Sequence, residues 1–273
     1  MIVRDAGDTW QIVLQTDHAV LARQFAEAWG NERFDRPEPF HSVVTATARH
    51  DDGWAVWERA PSLLALHGRV QPRNFLDVQV RSHLAFYHAM IASVMDDDQY
   101  AGLLVSMHGA GIYNGRYGTN PELKLTFAPD EQDRVDTFVR EQEAEHARII
   151  AERGIAETQR WVNCKLLQAY DRLLLHFCMK DLANGEQATL QPVPVDYAGA
   201  ETALAIEPDG PWRITLDPFP FAEGPAVFNL LRRTLPKKQW VDAREFRRDF
   251  FAAPLEETPI TISAPRDPAT CPP

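Results

Sequence analysis

Histidines and aspartates recur along the first two thirds of the chain, spaced so that several helices could bring them together around metal ions. The candidate metal ligands are His18, His50, Asp51, His83, His108 and Asp171. Imidazole and carboxylate groups in one site favour iron, manganese, zinc, cobalt or nickel over soft metals. A carboxylate has two oxygens and can bridge two ions, so the set predicts a divalent metal centre with two ions. The sequence contains no glycine-rich phosphate loop with a lysine, no nucleophile elbow and no cysteine-rich zinc motif.

These candidate ligands fall on five different predicted helices or helix ends, with His50 and Asp51 adjacent in the string ARHDDGW. In the first helix, apolar residues between Ala19 and Trp29 follow a 3.6-residue period, and Gly30 can end it. Helices are predicted over residues 16–30, 40–50, 74–95, 99–108, 130–153 and 156–183, and a further one is expected near 242–251 in the C-terminal part. Helix packing must therefore assemble the site, because no short segment holds more than two of the ligands.

The sequence changes character after Asn184 and Gly185. Prolines cluster there, and the short runs TLQPVPV, TALAI, WRITL and PITISA are typical of β-strands separated by turns. Apolar residues in this part, such as Phe219 and Phe228, must bury against the helices or against a second subunit, so a homodimer stays open.

The ordered set of ligands resembles the HD-domain superfamily of metal-dependent phosphohydrolases over roughly residues 14–180. The strings DHAVLARQFAEAW, ARHDDGW and QAYDRLLL match its first histidine, its adjacent His-Asp pair and its late aspartate. His83 and His108 resemble the longer ligand set of its dinuclear members, which include cyclic-dinucleotide phosphodiesterases and mixed-valent di-iron oxygenases. The full-length pattern also resembles an uncharacterised bacterial family of HD-like proteins.

The resemblance implies a fold and a division of the chain. We expect a mainly α protein, an HD-like helical bundle over residues 1–184. A small antiparallel β appendage over residues 185–262 is expected to pack on this bundle, followed by a disordered tail over 263–273.

The resemblance also implies roles for the ligands. Asp51 would bridge two ions, with His18, His50 and Asp171 on one ion and His83 and His108 on the other. Two features depart from the superfamily: Asp52-Gly53 replaces the Gly-Lys that often follows the His-Asp pair, and the GYP motif of the dinucleotide phosphodiesterases is absent. These departures bear on the substrate more than on the metal.

Three further residues are candidates for catalysis or substrate binding. Asp52 could act as a general base beside Asp51, or only cap the end of its helix. His88 competes with His83 as a ligand; the two are about 140° apart around a helix, so both cannot face one ion, and His88 could contact substrate instead. Arg116, in the glycine-rich string GAGIYNGRYG, could bind an anionic group, or the string could form only a turn.

Composition restricts the partners. The net charge of −11 argues against a nucleic-acid polymer, whereas a small anionic substrate remains compatible because bound metal ions can reverse the local field. Three cysteines without a CxxC pair, no apolar leader and no apolar stretch long enough to cross a bilayer favour a cytoplasmic protein that has no membrane partner.

We therefore expect an HD-type hydrolase that cleaves phosphoesters or phosphoanhydrides of small molecules with metal-activated water. The alternatives are a mixed-valent di-iron oxygenase with the same ligands and a non-catalytic HD-like metal-binding module. The metal content would separate the oxygenase from the hydrolase, and turnover would separate both enzymes from the non-catalytic module.

Overall fold

The computed structural model describes residues 1–66, 68–118, 125–180, 182 and 185–266. Its helices are α1 (Gln15–Ala28), α2 (Phe40–Arg49), α3 (Ala55–Glu58), α4 (Val80–Asp97), α5 (Gln99–Asn114), α6 (Pro129–Arg153), α7 (Glu157–Met179) and α8 (Ala243–Ala252). All seven helices predicted from the sequence are present, the last of them as α8. Among the described residues, no helix combines the length and the apolar character needed to cross a membrane.

Helix α5 lies at the centre of the helical part and contacts α2, α4, α6 and α7. Its residues are buried around almost its whole circumference, which is typical of a helix that other helices surround. The side chain of Asp98 accepts hydrogen bonds from the backbone N–H groups of Tyr100 and Ala101 and so caps its first turn. Gly115 ends it in the left-handed conformation, with a φ of 72°.

The strands are β1 (Ile2–Ala6), β2 (Thr9–Val13), β3 (Leu63–Leu66), β4 (Arg69–Pro72), β5 (Ala188–Pro194), β6 (Glu201–Pro208), β7 (Arg213–Asp217), β8 (Ala226–Pro236) and β9 (Glu256–Ser263). Seven of them form one mixed sheet in the order β1-β2-β8-β9-β7-β6-β5, and β3 and β4 form a separate hairpin. In the large sheet β7 and β9 are parallel, and the other neighbouring strands are antiparallel.

The predicted fold class, a mainly α bundle with a small C-terminal antiparallel β appendage, is therefore wrong. The sheet has seven strands and is mixed, and its first two strands come from the N-terminus of the chain. Strand β2 pairs with β8 antiparallel, so that Ile12 lies opposite Arg233. The hairpin that makes this possible turns at Gly7, whose φ of 74° suits glycine.

The large sheet packs against α1 and α7 and shares one hydrophobic core with them. Phe25 on α1 contacts Phe228 on β8, with ring centroids 4.6 Å apart, and Trp29 contacts Tyr170 on α7 at 5.1 Å. This core joins segments from both sides of the predicted boundary at 184/185; residue 184 itself lies outside the described residues. Of the predicted disordered tail, Ser263 ends β9, and residues 267–273 lie outside the described part of the chain.

Candidate metal centre

Five of the six predicted ligands converge where α1, α2, α5 and α7 meet. They are His18 on α1, His50 and Asp51 directly after α2, His108 on α5 and Asp171 on α7. Every one of these side chains is buried, with at most 7 % of its residue exposed. Helix packing has thus brought together side chains that are up to 153 residues apart in sequence (from 18 to 171).

The ligating atoms of these residues lie close together. Nδ1 of His18 is 3.3 Å from Oδ2 of Asp51, and its Nε2 is 3.4 Å from Oδ1 of Asp171. Nε2 of His50 is 3.4 Å from Oδ2 of Asp51 and 3.8 Å from Oδ1 of Asp171. Two groups, His18-His50-Asp51 and His50-His108-Asp171, each place one donor atom per residue within 4.8 Å of the others and could hold a metal ion. These five residues are called the His/Asp cluster below.

Several imidazole nitrogens in the His/Asp cluster have no hydrogen-bond partner among the described residues. They are both ring nitrogens of His18, Nε2 of His50 and Nδ1 of His108. A buried polar atom without a partner costs about 1–3 kcal/mol. Each neutral imidazole has one lone pair for a metal, so these three histidines beside two carboxylates are a donor set that fits a divalent metal ion, because coordination would satisfy lone pairs that no described group satisfies.

The tautomer of His50 is fixed by the backbone. Its Nδ1 lies 2.7 Å from the carbonyl oxygen of Thr47, and a carbonyl oxygen can only accept a hydrogen bond. Nδ1 therefore carries a proton in both charge states, and Nε2 faces the carboxylates of Asp51 and Asp171, where loss of its proton would expose a lone pair for a metal. A histidine that donates its other N–H to a backbone carbonyl is a recurrent arrangement in metal sites.

The electrostatics of the His/Asp cluster favour a positive charge at its centre. Burial disfavours protonation of His50, but the carboxylates of Asp51 and Asp171 outweigh it and raise the pKa of His50 to about 9. Burial also acts against the ionised form of both carboxyls, yet the neighbouring histidines hold the pKa of Asp51 and of Asp171 below the usual range. Burial lowers the pKa of His108 to about 4, so it is a neutral ligand at pH 7.

His83 lies near the His/Asp cluster but belongs to neither donor group. Its Nδ1 is hydrogen-bonded to the hydroxyl of Tyr113, and its ring packs on Trp54 with centroids 5.0 Å apart. Burial lowers the pKa of His83 to about 4, so the side chain is neutral. The structure thus places His83 in the same region as the predicted ligands, with its Nδ1 already engaged by a tyrosine.

The predicted catalytic and substrate-binding residues outside the ligand set lie on the surface. Asp52 turns away from Asp51 and forms a 2.8 Å ion pair with Arg49. His88 is half-exposed and faces Glu141, with 3.8 Å between Nε2 and Oε2. Arg116 is exposed and lies 4.0 Å from a glutamate of α6. None of the three predicted residues lines the cavity described next, so we do not include them in the site.

A cavity of about 490 Å³ opens beside the His/Asp cluster. Asp51, His108 and Asp171 line it, together with His83 and mainly apolar or aromatic side chains from α4, α5, α7 and the segments before α4 and α6. A larger surface depression of about 740 Å³ lies between residues 31–33 and 219–225, and no predicted ligand lines it. The cavity beside the cluster is the one that connects candidate metal ligands to space for a small molecule.

Tyr117 is a candidate site residue that sequence reasoning missed. It lies shortly after the end of α5, near the end of the glycine-rich string GAGIYNGRYG. Its buried hydroxyl donates a hydrogen bond to Oδ2 of Asp171. The string folds against α7: the N–H of Gly118 donates to the side chain of Gln168 at 2.8 Å, and a Cβ on Gly118 would lie 2.7 Å from a side-chain carbon of Lys165. The glycines therefore permit the close approach that delivers Tyr117 to the site.

Fold and site together define a protein of helices and a mixed sheet with a buried His/Asp cluster that could hold a metal ion. The chain belongs to the family described as "Protein of unknown function (DUF3891)", whose profile matches residues 1–237. The match runs from β1 through β8, so it includes the helical part and most of the large sheet. No curated protein and no solved structure matches the chain. The HD-domain resemblance is not tested by the family match and stays a prediction.

Proposed function

We propose that the chain is a metal-dependent phosphohydrolase that acts on small phosphorylated molecules. The observation that carries the proposal is that Asp51, His108 and Asp171 belong to the His/Asp cluster and also line the cavity. A ligand in the cavity would therefore reach the metal site directly. A buried cluster of donors without such an opening would favour a purely structural metal site.

A divalent ion bound by the His/Asp cluster would supply Lewis acidity, which lowers the pKa of water and polarises phosphoryl oxygens. The protein residues would position the reactants. The carboxylates of Asp51 and Asp171 would neutralise the ion, and the hydroxyl of Tyr117 would hold one oxygen of Asp171 in place. The apolar walls of the cavity would limit the access of bulk water to the reacting group.

The number of ions follows from the donor atoms. The two donor groups share His50, and only its Nε2 is free, because Nδ1 binds the carbonyl of Thr47. One imidazole nitrogen cannot serve two ions, so both donor groups cannot be filled independently. We propose one ion in the His/Asp cluster; a second ion would need a further donor, and His83 is the remaining histidine that lines the cavity.

The walls of the cavity favour a mixed-valent di-iron oxygenase as the second candidate. Apart from Arg172, the described residues that line the cavity include no lysine or arginine, whereas phosphate sites commonly use several. An oxygenase substrate needs no such cations. A di-iron centre would need a second ion beyond the one proposed for the His/Asp cluster, with His83 as the remaining histidine donor at the cavity. The identity and the number of the bound ions therefore distinguish the two candidates.

Elemental analysis of protein purified without added metal is the first test, followed by assays with p-nitrophenyl phosphate and bis-p-nitrophenyl phosphate. We expect about one divalent ion per chain and phosphatase or phosphodiesterase turnover. Asp51→Asn should abolish turnover, whereas Asp52→Asn should leave it unchanged because Asp52 faces Arg49. Oxygen consumption by iron-loaded protein, without phosphate release, would favour the oxygenase. Wild-type protein that binds no metal after reconstitution would refute both.

A further inference from the structure

The cavity beside the His/Asp cluster has two chemically different ends. At one end lie the donors Asp51, His108 and Asp171. Away from these donors the wall is formed mainly by aliphatic and aromatic side chains, including Phe75 and Phe127. A ligand that fills this space must therefore present a polar group to one end and apolar surface to the rest.

The apolar wall continues to the mouth of the cavity. Leu76, Leu125 and Met179 line the cavity and are also exposed to solvent, Leu76 with 66 % of its residue. They come from three separate segments: the turn after β4, the segment before α6, and the end of α7. Large apolar side chains that remain exposed together around an opening mark a surface that an apolar ligand or partner covers.

Arg172 supplies a positive charge at the cavity wall. It is half-buried, follows Asp171 directly, and makes no hydrogen bond or ion pair with any residue that the structure describes. It is also the one lysine or arginine among the described residues that line the cavity. A half-buried guanidinium that makes no hydrogen bond to a described residue is a ready site for an anionic group, because an anion would satisfy its N–H donors.

We propose that the cavity binds an amphipathic small molecule with one anionic group and an apolar body. The anionic group lies between Arg172 and the His/Asp cluster, and the apolar body lies along the wall towards Leu76. The volume of about 490 Å³ is within the range of about 300–1,000 Å³ that holds ligands of drug size. Polyphosphorylated nucleotides do not fit this pattern, because further charges would face the apolar wall. The assignment of the anionic group as a reacting phosphate rests on the proposed function; the binding does not.

Binding of phosphonates to the metal-loaded, full-length protein tests the proposal. Octylphosphonate and methylphosphonate share one anionic group, contain no ester bond to hydrolyse, and differ only in their apolar part. Each buried methylene adds a factor of about three to four in affinity, so we expect octylphosphonate to bind at least about 100-fold more tightly. Calorimetry gives the affinities, and the fluorescence of Trp54 at the cavity wall gives an independent signal.

Two variants locate the apolar body, and both change an exposed side chain so that folding is retained. Leu76→Glu places a charge at the mouth of the cavity and should weaken octylphosphonate binding at least about tenfold. Val56→Glu is the matched control, because Val56 is 67 % exposed and does not line the cavity. Equal affinities of the two phosphonates, or equal effects of the two substitutions, would overturn the proposal.

A third variant tests the anionic end. Arg172→Gln should weaken octylphosphonate binding at least about tenfold and leave the binding of 1-octanol unchanged, because octanol carries no charge. Equal loss for both ligands would contradict the role of Arg172. Octyl phosphate that is bound tightly but never hydrolysed would leave this inference standing and refute the proposed hydrolase. If methyl phosphate and octyl phosphate were hydrolysed equally well, the proposed hydrolase would stand and this inference would be refuted.

Discussion

Two tyrosines of the same cavity offer a matched test of which residues hold the metal. The hydroxyl of Tyr117 donates to Asp171, a member of the His/Asp cluster, whereas the hydroxyl of Tyr113 contacts His83, which lies outside it. Replacing either tyrosine by phenylalanine removes one oxygen and keeps the ring. The two variants therefore differ mainly in whether the lost hydrogen bond supported a ligand.

The expected magnitude follows from the burial of the Tyr117–Asp171 pair. Both residues are at most 7 % exposed, and loss of the hydroxyl removes the protein donor that holds Oδ2 of Asp171. Removal of a group that orients a metal ligand typically lowers metal affinity about 10- to 100-fold, which corresponds to about 1.4–2.7 kcal/mol. We expect this loss for Tyr117→Phe and a change of less than about threefold for Tyr113→Phe.

Competition with a chromophoric chelator measures the dissociation constant of Zn²⁺ or Co²⁺ for wild type and both variants at one pH. Thermal unfolding of the metal-free proteins shows whether either variant has lost its fold. If Tyr117→Phe binds metal within threefold of wild type, the reasoning about Asp171 is refuted. If Tyr113→Phe loses as much affinity as Tyr117→Phe, His83 is a ligand after all.

Three further results are expected. Asp51→Ala should strip the metal while His83→Ala retains it, as read by elemental analysis; equal metal content in both would contradict the cluster. Burial lowers the pKa of His146 to about 4, so the unfolded chain takes up its proton first and the contribution of His146 to the free energy of unfolding should fall by about 2 kcal/mol from pH 7 to pH 4.5. Urea unfolding should show a smaller fall for His146→Gln. Gly53→Ala should cost about 1–3 kcal/mol, because its Cβ would lie 2.4 Å from the backbone oxygen of Phe86; an unchanged calorimetric midpoint would refute this.

The helices and all five members of the His/Asp cluster could be predicted because their signals are local. Apolar residues at helical spacing mark each helix, and the types of His18, His50, Asp51, His108 and Asp171 are those that metal sites use. The order of these residues along the chain, compared with a known superfamily, then suggested that they meet. The structure confirms that these five could form a metal site, without identifying the metal.

The large sheet could not be predicted, because its decisive contacts are not local. The pairing of Ile12 with Arg233 joins residues 221 positions apart (233 − 12), and no local pattern identifies such a partner. The parallel pairing of β7 with β9 places Ile214 opposite Ile262, although β8 and α8 lie between these two strands in the sequence. Short strands separated by turns are compatible with an antiparallel appendage and with the mixed sheet alike, so their pattern does not distinguish the two.

The sequence also does not predict which of two adjacent side chains faces the site. Asp51 and Asp52 are neighbours of the same type, yet one faces the His/Asp cluster and the other pairs with Arg49 on the surface. The turn that follows α2 decides between them. Arg116 and Tyr117 are also adjacent in sequence. Arg116 lies on the surface near Glu143, whereas the hydroxyl of Tyr117 reaches Asp171 in the site.

The sheet that sequence reasoning treated as an appendage helps to place the metal ligands. Strand β2 ends at Val13 and α1 begins at Gln15, so a single residue separates the sheet from the helix that carries His18. His18 lies on the same stripe of α1 as Phe25, seven residues further on, which packs into the core shared with the sheet. Burial of that stripe fixes the rotation of α1 and so holds His18 beside Asp51 and Asp171. The β-sheet and the His/Asp cluster are thus parts of one structural unit, and the family profile over residues 1–237 includes the cluster and six of the seven strands of the sheet.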